Sequence, residues 1–219
     1  MNLKILSLVI IGVCILLPDV CYAFLEKDVH LLNMQNGLAD NTVSAVYKDK
    51  EGFIWFGTRN GLSRYDGRRI TNFERSRSYP SISNLKEVFD GVLAFVDNGV
   101  FSAFDLKKER FLSVVSSSGQ GIPSRGMLQR NDSLVWVISG SELHLMKRCA
   151  SKEGELRLRV QEKYTGWDNQ DNLLVAITYS SDKKSICLID EKGRIILLDA
   201  TNLNSFRVID LGRTGSLSV

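Results

Sequence analysis

The chain has 219 residues, 44% hydrophobic and 24% charged, with three prolines, four cysteines and a formal net charge of +3. This composition excludes collagen, coiled coils, disordered tails and disulfide-dense mini-domains. The charge is too small for the length to indicate a nucleic-acid partner, so function has to be sought in the order of the residues.

Residues 1–23 read as a secretory signal peptide. Lys4 supplies the positive start, residues 5–17 form an uncharged apolar run, Pro18 breaks it, and Cys21 and Ala23 place small residues before a cleavage point. The run is shorter than the roughly 20 residues that span a bilayer. Val20 stands where a lipoprotein signal needs a small residue. The mature chain, 24–219, is therefore expected to be soluble outside the cytoplasmic membrane and to have no membrane span. It keeps Cys149 and Cys187. In an oxidising compartment these pair if their Cα atoms lie within about 7 Å; otherwise each is a small buried hydrophobe.

Residues 38–73 carry the informative pattern. A short alternating strand over 42–48 ends at Asp49-Lys50-Glu51-Gly52. Phe53-Ile54-Trp55-Phe56-Gly57-Thr58 follows, apolar on both faces, and a strand of that kind must be covered on both sides. Asn60-Gly61 predicts a type I′ hairpin turn returning residues 62–65. Asp66-Gly67 repeats the device, and residues 69–73 complete a four-stranded antiparallel meander.

The meander recurs. Asp90-Gly91-Val92-Leu93-Ala94-Phe95, Asn98-Gly99 and Phe104-Asp105 repeat it at an offset of 38 or 39 residues, and Trp136 lies 81 residues after Trp55. A looser copy runs through Ser185-Ile186-Cys187-Leu188-Ile189 and residues 195–199, after a longer connection around 165–172. A period near 40 with four strands per period predicts an all-β chain forming a partial β-propeller of about four blades, at approximately 38–75, 81–115, 125–164 and 172–212. The rival is a β-sandwich whose hairpins are similar by accident. Regular spacing of the doubly apolar strand favours the propeller.

Through Gly37-Leu38-Ala39-Asp40-Asn41-Thr42-Val43, Val46, Asp49, Gly52, Ile54-Trp55-Phe56-Gly57-Thr58, Gly61-Leu62 and Arg64-Tyr65-Asp66, the sequence resembles the two-component regulator propeller repeat. The later copies keep the spacing but have Ala94 and Cys187 where the tryptophan stands, and they lose the Gly-Thr after it. The resemblance implies the periplasmic sensor of a hybrid two-component histidine kinase of the Bacteroidetes type, sensing glycan fragments for transcriptional control. It also implies an oligosaccharide ligand and a homodimer through the sensor region, in a parent protein anchored in the inner membrane. Complete members carry two seven-bladed propellers, so four blades are expected to be an N-terminal piece. No phosphoacceptor box or ATP-binding box occurs, and the chain itself is expected not to be an enzyme.

Trp55 and Trp136 occupy one slot of successive blades, which predicts core packing in place of sugar stacking. Trp167, in the polar connection Thr165-Gly166-Trp167-Asp168-Asn169-Gln170, is the one candidate ligand contact. Arg59, Arg64, Arg68, Arg69, Arg75 and Arg77 suit an acidic glycan if they converge; strand alternation predicts that they scatter over solvated edges. His30 and His144 are too far apart for a metal site. The Gly-x-Gly of Gly119-Gln120-Gly121 lacks a phosphate-binding lysine. The carboxylates form no glycosidase pair, so no catalytic residue, metal or cofactor is expected. The alternative to a sensor is a stand-alone exported propeller that holds a protein partner; an exported lyase or hydrolase is a third reading.

Overall fold

The structure is a computed structural model that describes residues 30–74, 82–167 and 172–210. The expected signal peptide lies outside them, as do Arg75 and Arg77. The chain divides into two compact units, Met1–Asn33 and Met34–Val219. Residues 30–33 of the first carry no regular element. All elements below belong to the second, and among its described residues no helix is long and apolar enough to cross a membrane.

After a 3-10 turn at Met34–Asn36, the first antiparallel sheet comprises β1 (Val43–Lys48), β2 (Ile54–Thr58), β3 (Gly61–Tyr65) and β4 (Ile70–Glu74), in that spatial order. The second begins with β5 (Ile82–Phe89), β6 (Val92–Asp97), β7 (Val100–Asp105) and β8 (Arg110–Ser116). The third begins with β9 (Gly126–Asn131), β10 (Leu134–Ser139), β11 (Glu142–Cys149) and β12 (Glu155–Tyr164). The fourth comprises β13 (Leu174–Tyr179), β14 (Ser185–Asp190), β15 (Ile195–Asp199) and β16 (Phe206–Ile209). Each first strand lies against the first strand of the next set, β1 on β5, β5 on β9 and β9 on β13, which is blade-on-blade propeller stacking.

The β2–β3 turn differs from the expected one by a residue. Thr58 pairs with Gly61, so the loop residues are Arg59 and Asn60, and Gly61 is already in strand. The Thr58 hydroxyl donates to the Gly61 carbonyl at 3.0 Å and accepts the Asn60 N–H at 3.2 Å, closing the turn from the side chain. Gly61 has φ +124°, and a Cβ there would stand 2.5 Å from the Phe73 carbonyl oxygen. The two-residue turn with both centres at positive φ occurs one blade later, at Asn98 (+49°) and Gly99 (+79°).

The second strand of each blade is apolar on both faces, and three clusters fill the spaces between blades. Trp55, Leu62, Ile82, Leu85, Leu93, Phe95 and Phe104 lie between the first and second. A second cluster, including Val88, Ala94, Met127, Val137 and Leu158, joins the second to the third. Trp136, Ile138, Leu143, Trp167, Leu174 and Ile186 join the third to the fourth. Each large side chain so buried contributes about 1.5–3 kcal/mol.

One polar contact and one close approach set the first junction on its β1–β5 side. The Ser44 hydroxyl donates to the Ile82 carbonyl of the next blade and lies 3.2 Å from the Gly57 carbonyl. Gly57 itself faces Ile82, whose Cγ2 would be 2.5 Å from any Cβ added there. The glycine of Trp-Phe-Gly-Thr is thus the residue that lets β2 approach β5.

The four-bladed arrangement expected from the repeats is present, and the second and third blades are joined into one sheet of eight strands in the order β5-β6-β7-β8-β12-β11-β10-β9. Their outermost strands pair in parallel, Glu155 with Ser113 through Leu158 with Ser116, and Ser113 N–H donates to the Gly154 carbonyl at 2.9 Å. The ladder covers the edge of β8, which would otherwise expose unpaired backbone groups. Lys108 and Arg110 reach across the same rim to Glu153 at 2.8 and 3.0 Å. Cys149 and Cys187 are free thiols, on β11 and β14.

In the fourth blade Asp190, buried to 2%, accepts the Lys192 and Arg194 N–H groups and the Arg194 side chain at 2.7 Å. Burial alone would raise its carboxyl; the Arg194 hydrogen bonds and charge outweigh it and hold the carboxyl below the usual aspartate value.

Two outcomes are expected in chemical denaturation. Gly57→Ala destabilises the chain by about 1–3 kcal/mol, and adding Ile82→Ala costs less than the sum of the two single changes. Asp190→Asn costs about 1.5–3 kcal/mol. Because the folded carboxyl is depressed, its contribution is complete above the unfolded pKa and is lost as pH falls through the folded one, below about 4. A stability-against-pH series should show a shallower acid limb in the variant.

Candidate functional site

A cleft of about 410 Å³ opens between the first and second blades. The first blade supplies the β1–β2 turn with Asp49, Lys50 and Phe53, together with Trp55 and Arg64; the second supplies Glu87, Asp90, Lys107 and Glu109 from β5 and two turns. At its base Trp55 is 1% exposed. Its indole N–H donates to Asp49 Oδ2 at 2.7 Å, while Asp49 Oδ1 accepts the Phe53 N–H at 2.9 Å. The ring stacks on Phe73 at 5.6 Å and meets Phe104 at 5.5 Å. Trp55 therefore closes the cleft as core, with its faces already covered.

Arg64 lies beside it. The β2–β3 register sets Arg64 opposite Trp55. Its guanidinium carbon is 4.9 Å from the Phe53 ring centre and 5.6 Å from those of Trp55 and Phe73. A guanidinium tolerates such aromatic walls because its planar charge is weakly hydrated and stacks on π faces. Arg64 Nη1 meets Glu109 Oε1 of the second blade at 2.6 Å. At the mouth, Lys50 pairs with Glu87 at 3.2 Å and Lys107 with Asp90 at 3.3 Å. The hydrogen bond from Lys50 to Glu87 holds the lysine above its usual value. Aromatic walls, one enclosed cation and paired charges at the rim suit a small polar ligand.

The sequence candidates separate on this framework. Of the arginines, Arg64 enters the cleft; Arg59, Arg68 and Arg69 are exposed on turns. Trp136 is fully buried, as expected of its slot. Trp167 is 8% exposed and belongs to the cluster between the third and fourth blades, so its ring packs on the core and does not face an open loop surface. Its neighbours Asp168, Asn169 and Gln170 lie outside the described residues. His144 is buried and its Nε2 lies 2.6 Å from Glu142, which holds the Glu142 carboxyl below its usual value. Phe53 and Glu109 were not singled out by the sequence. The Trp55–Arg64 pairing follows from the displaced turn, since the expected Asn60-Gly61 turn would have set Arg64 opposite Gly57, and Glu109 arrives from the next blade.

A second cleft, of about 590 Å³, lies between the third and fourth blades near Gln129, Arg130, Tyr179 and Lys183. There Arg130 stands 5.3 Å from the Trp136 ring centre. The buried Trp136 N–H has no partner among the described residues. The acceptor that Asp49 provides to Trp55 is thus specific to the first blade.

Asp49→Ala is expected to lower stability by about 1–3 kcal/mol, because it leaves the Trp55 and Phe53 N–H groups without acceptors. Asp49→Asn, which keeps an acceptor, should lose less. Denaturation followed by tryptophan fluorescence checks both.

Comparison with known proteins bears on the same region. Residues 37–60 match the family model described as two component regulator propeller. No curated protein matches the chain. Among solved structures, it is similar to the extracellular domain of a protein from B. thetaiotaomicron described as a one component system. That match has a TM-score of 0.62 and 14% identity, over 84% of this chain and 27% of the other. It is also similar to the extracellular domain of one described as a hybrid two component system from the same organism, with a TM-score of 0.55 and 19% identity, over 83% and 26%. The WD40 β-propeller domain of Doa1 aligns with a TM-score of 0.53 and 12% identity, over 78% and 54%. The chain thus spans about a quarter of the length of the first two, and at these identities the likeness is one of fold. Residues 37–60 thus match the two component regulator propeller model within a fold of four propeller blades.

Proposed function

We propose that the chain is the extracytoplasmic, ligand-sensing propeller segment of a hybrid two-component sensor kinase, that it senses glycan fragments, and that it performs no catalysis itself. The match at residues 37–60 is the observation that carries this reading. The blade it defines is also the blade that supplies Phe53, Trp55 and Arg64 to the cleft. The fold shared with two B. thetaiotaomicron extracellular domains supports the extracytoplasmic placement, and the signal-like residues 1–23 agree with it. In this reading a bound oligosaccharide bridges two blades, and the arrangement it favours across a dimer is passed through the membrane as a population shift.

Thermal unfolding of the purified chain against a panel of oligosaccharides from defined polysaccharide digests tests the reading. One glycan class is expected to raise the midpoint by several degrees in a concentration-dependent manner, with the oligosaccharide recovered chemically unchanged. A flat response across the panel overturns glycan sensing, and turnover of the oligosaccharide overturns the non-catalytic assignment.

A further inference from the structure

We propose that Arg64 is the receptor for a carboxylate on the sensed glycan, a uronic-acid residue, and that Glu109 is a built-in competitor occupying that position when the ligand is absent. The proposal rests on the glycan-sensing reading and deepens it.

The Arg64–Glu109 pair is lopsided. The Arg64 side chain is 19% exposed and walled by Phe53, Trp55 and Phe73, whereas the Glu109 side chain is 48% exposed on the solvent side. Removing the carboxylate alone would leave an enclosed cation without a counter-charge, which is costly. Exchanging it for another carboxylate preserves the charge balance and the hydrogen-bond geometry that a guanidinium recognises. The anion is therefore the replaceable half of the pair.

Three of the other carboxylates of the cleft are committed, and the fourth, Glu51, is exposed on the β1–β2 turn. Asp49 holds the Trp55 and Phe53 N–H groups, Glu87 accepts the Gly91 N–H at 3.1 Å and pairs with Lys50, and Asp90 pairs with Lys107. Glu109 is different because its backbone is held against its preference. It sits at φ +49° in the β7–β8 turn, a conformation that is uncommon for a residue with a side chain. Its neighbours Lys108 and Arg110 point the other way, to Glu153 of the third blade. The turn thus presents one carboxylate to Arg64 while its flanking residues are tied to the rim. A sugar carboxylate that takes the place of Glu109 frees this turn on the first-blade side and leaves its anchor to the third blade in place.

Calorimetric titration of the full chain with a galacturonic-acid trimer, beside the same trimer with its carboxylates reduced to hydroxymethyl groups, tests the proposal. The acidic trimer is expected to bind at least tenfold more tightly than the neutral one. Glu109→Gln should strengthen acidic binding several-fold and widen the ratio of acidic to neutral binding, and Arg64→Gln should abolish the preference. If Arg64→Gln fails to fold by circular dichroism, Glu109→Gln decides alone, since it keeps every wall of the cleft. Unchanged or weakened acidic binding in Glu109→Gln overturns the competitor role. Equal binding of the two trimers overturns the carboxylate receptor while leaving glycan sensing standing. If the acidic trimer fails to bind while another glycan class raises the unfolding midpoint, only the present proposal falls; if no glycan does so, both fall.

Discussion

The second strand of each blade is apolar on both faces, as in Ile54-Trp55-Phe56 and Val135-Trp136-Val137, and the rest of the structure follows from having to cover both. A single four-stranded sheet cannot do so. Stacking does, and the first strands of successive blades meet so that Trp55, Phe104, Met127 and Trp136 are each sealed between two blades. The close approach this requires is written into small residues, Gly57 against Ile82 being the tightest case.

Stacking leaves the junctions unequal. The middle one is closed at its rim by backbone pairing of β8 with β12, while the junctions on either side keep clefts lined by turns. In the first cleft the aromatic core walls in Arg64, a cation that takes its anion, Glu109, from the next blade. Packing and recognition therefore meet in the same side chains. Phe53, Trp55 and Phe73 fill the interface between blades and at the same time set the environment of the Arg64 guanidinium.

Much of the fold was legible because its signals are local. The doubly apolar second strands, the turn residues around Asp66-Gly67 and Asn98-Gly99, and the recurrence near 40 residues all report on neighbouring strands. The Asn60-Gly61 turn was displaced by one residue because the Thr58 hydroxyl closes it from within the strand, a choice that depends on a side-chain hydrogen bond. The site was less legible. Arg64 was visible only as one of six arginines, and what distinguishes it comes from the ring of Phe53 in its own blade and the carboxylate of Glu109 in the next. Trp167 suggested a binding residue by its polar surroundings, but it belongs to the apolar cluster that joins the third and fourth blades, most of whose members are distant in sequence.

The parallel ladder between β8 and β12 also bears on the order of assembly. Among the described residues, every other pairing of named strands joins strands adjacent in sequence, which close over short turns. This one joins strands separated by the whole of β9, β10 and β11, so the loop-closure entropy is met only after the third meander exists. During synthesis, β8 emerges as a bare sheet edge and remains one until β12 has been made. The Lys108 and Arg110 charges beside that edge then have two tasks in time: they discourage pairing with foreign strands while it is open, and they draw in Glu153 when the matching strand arrives.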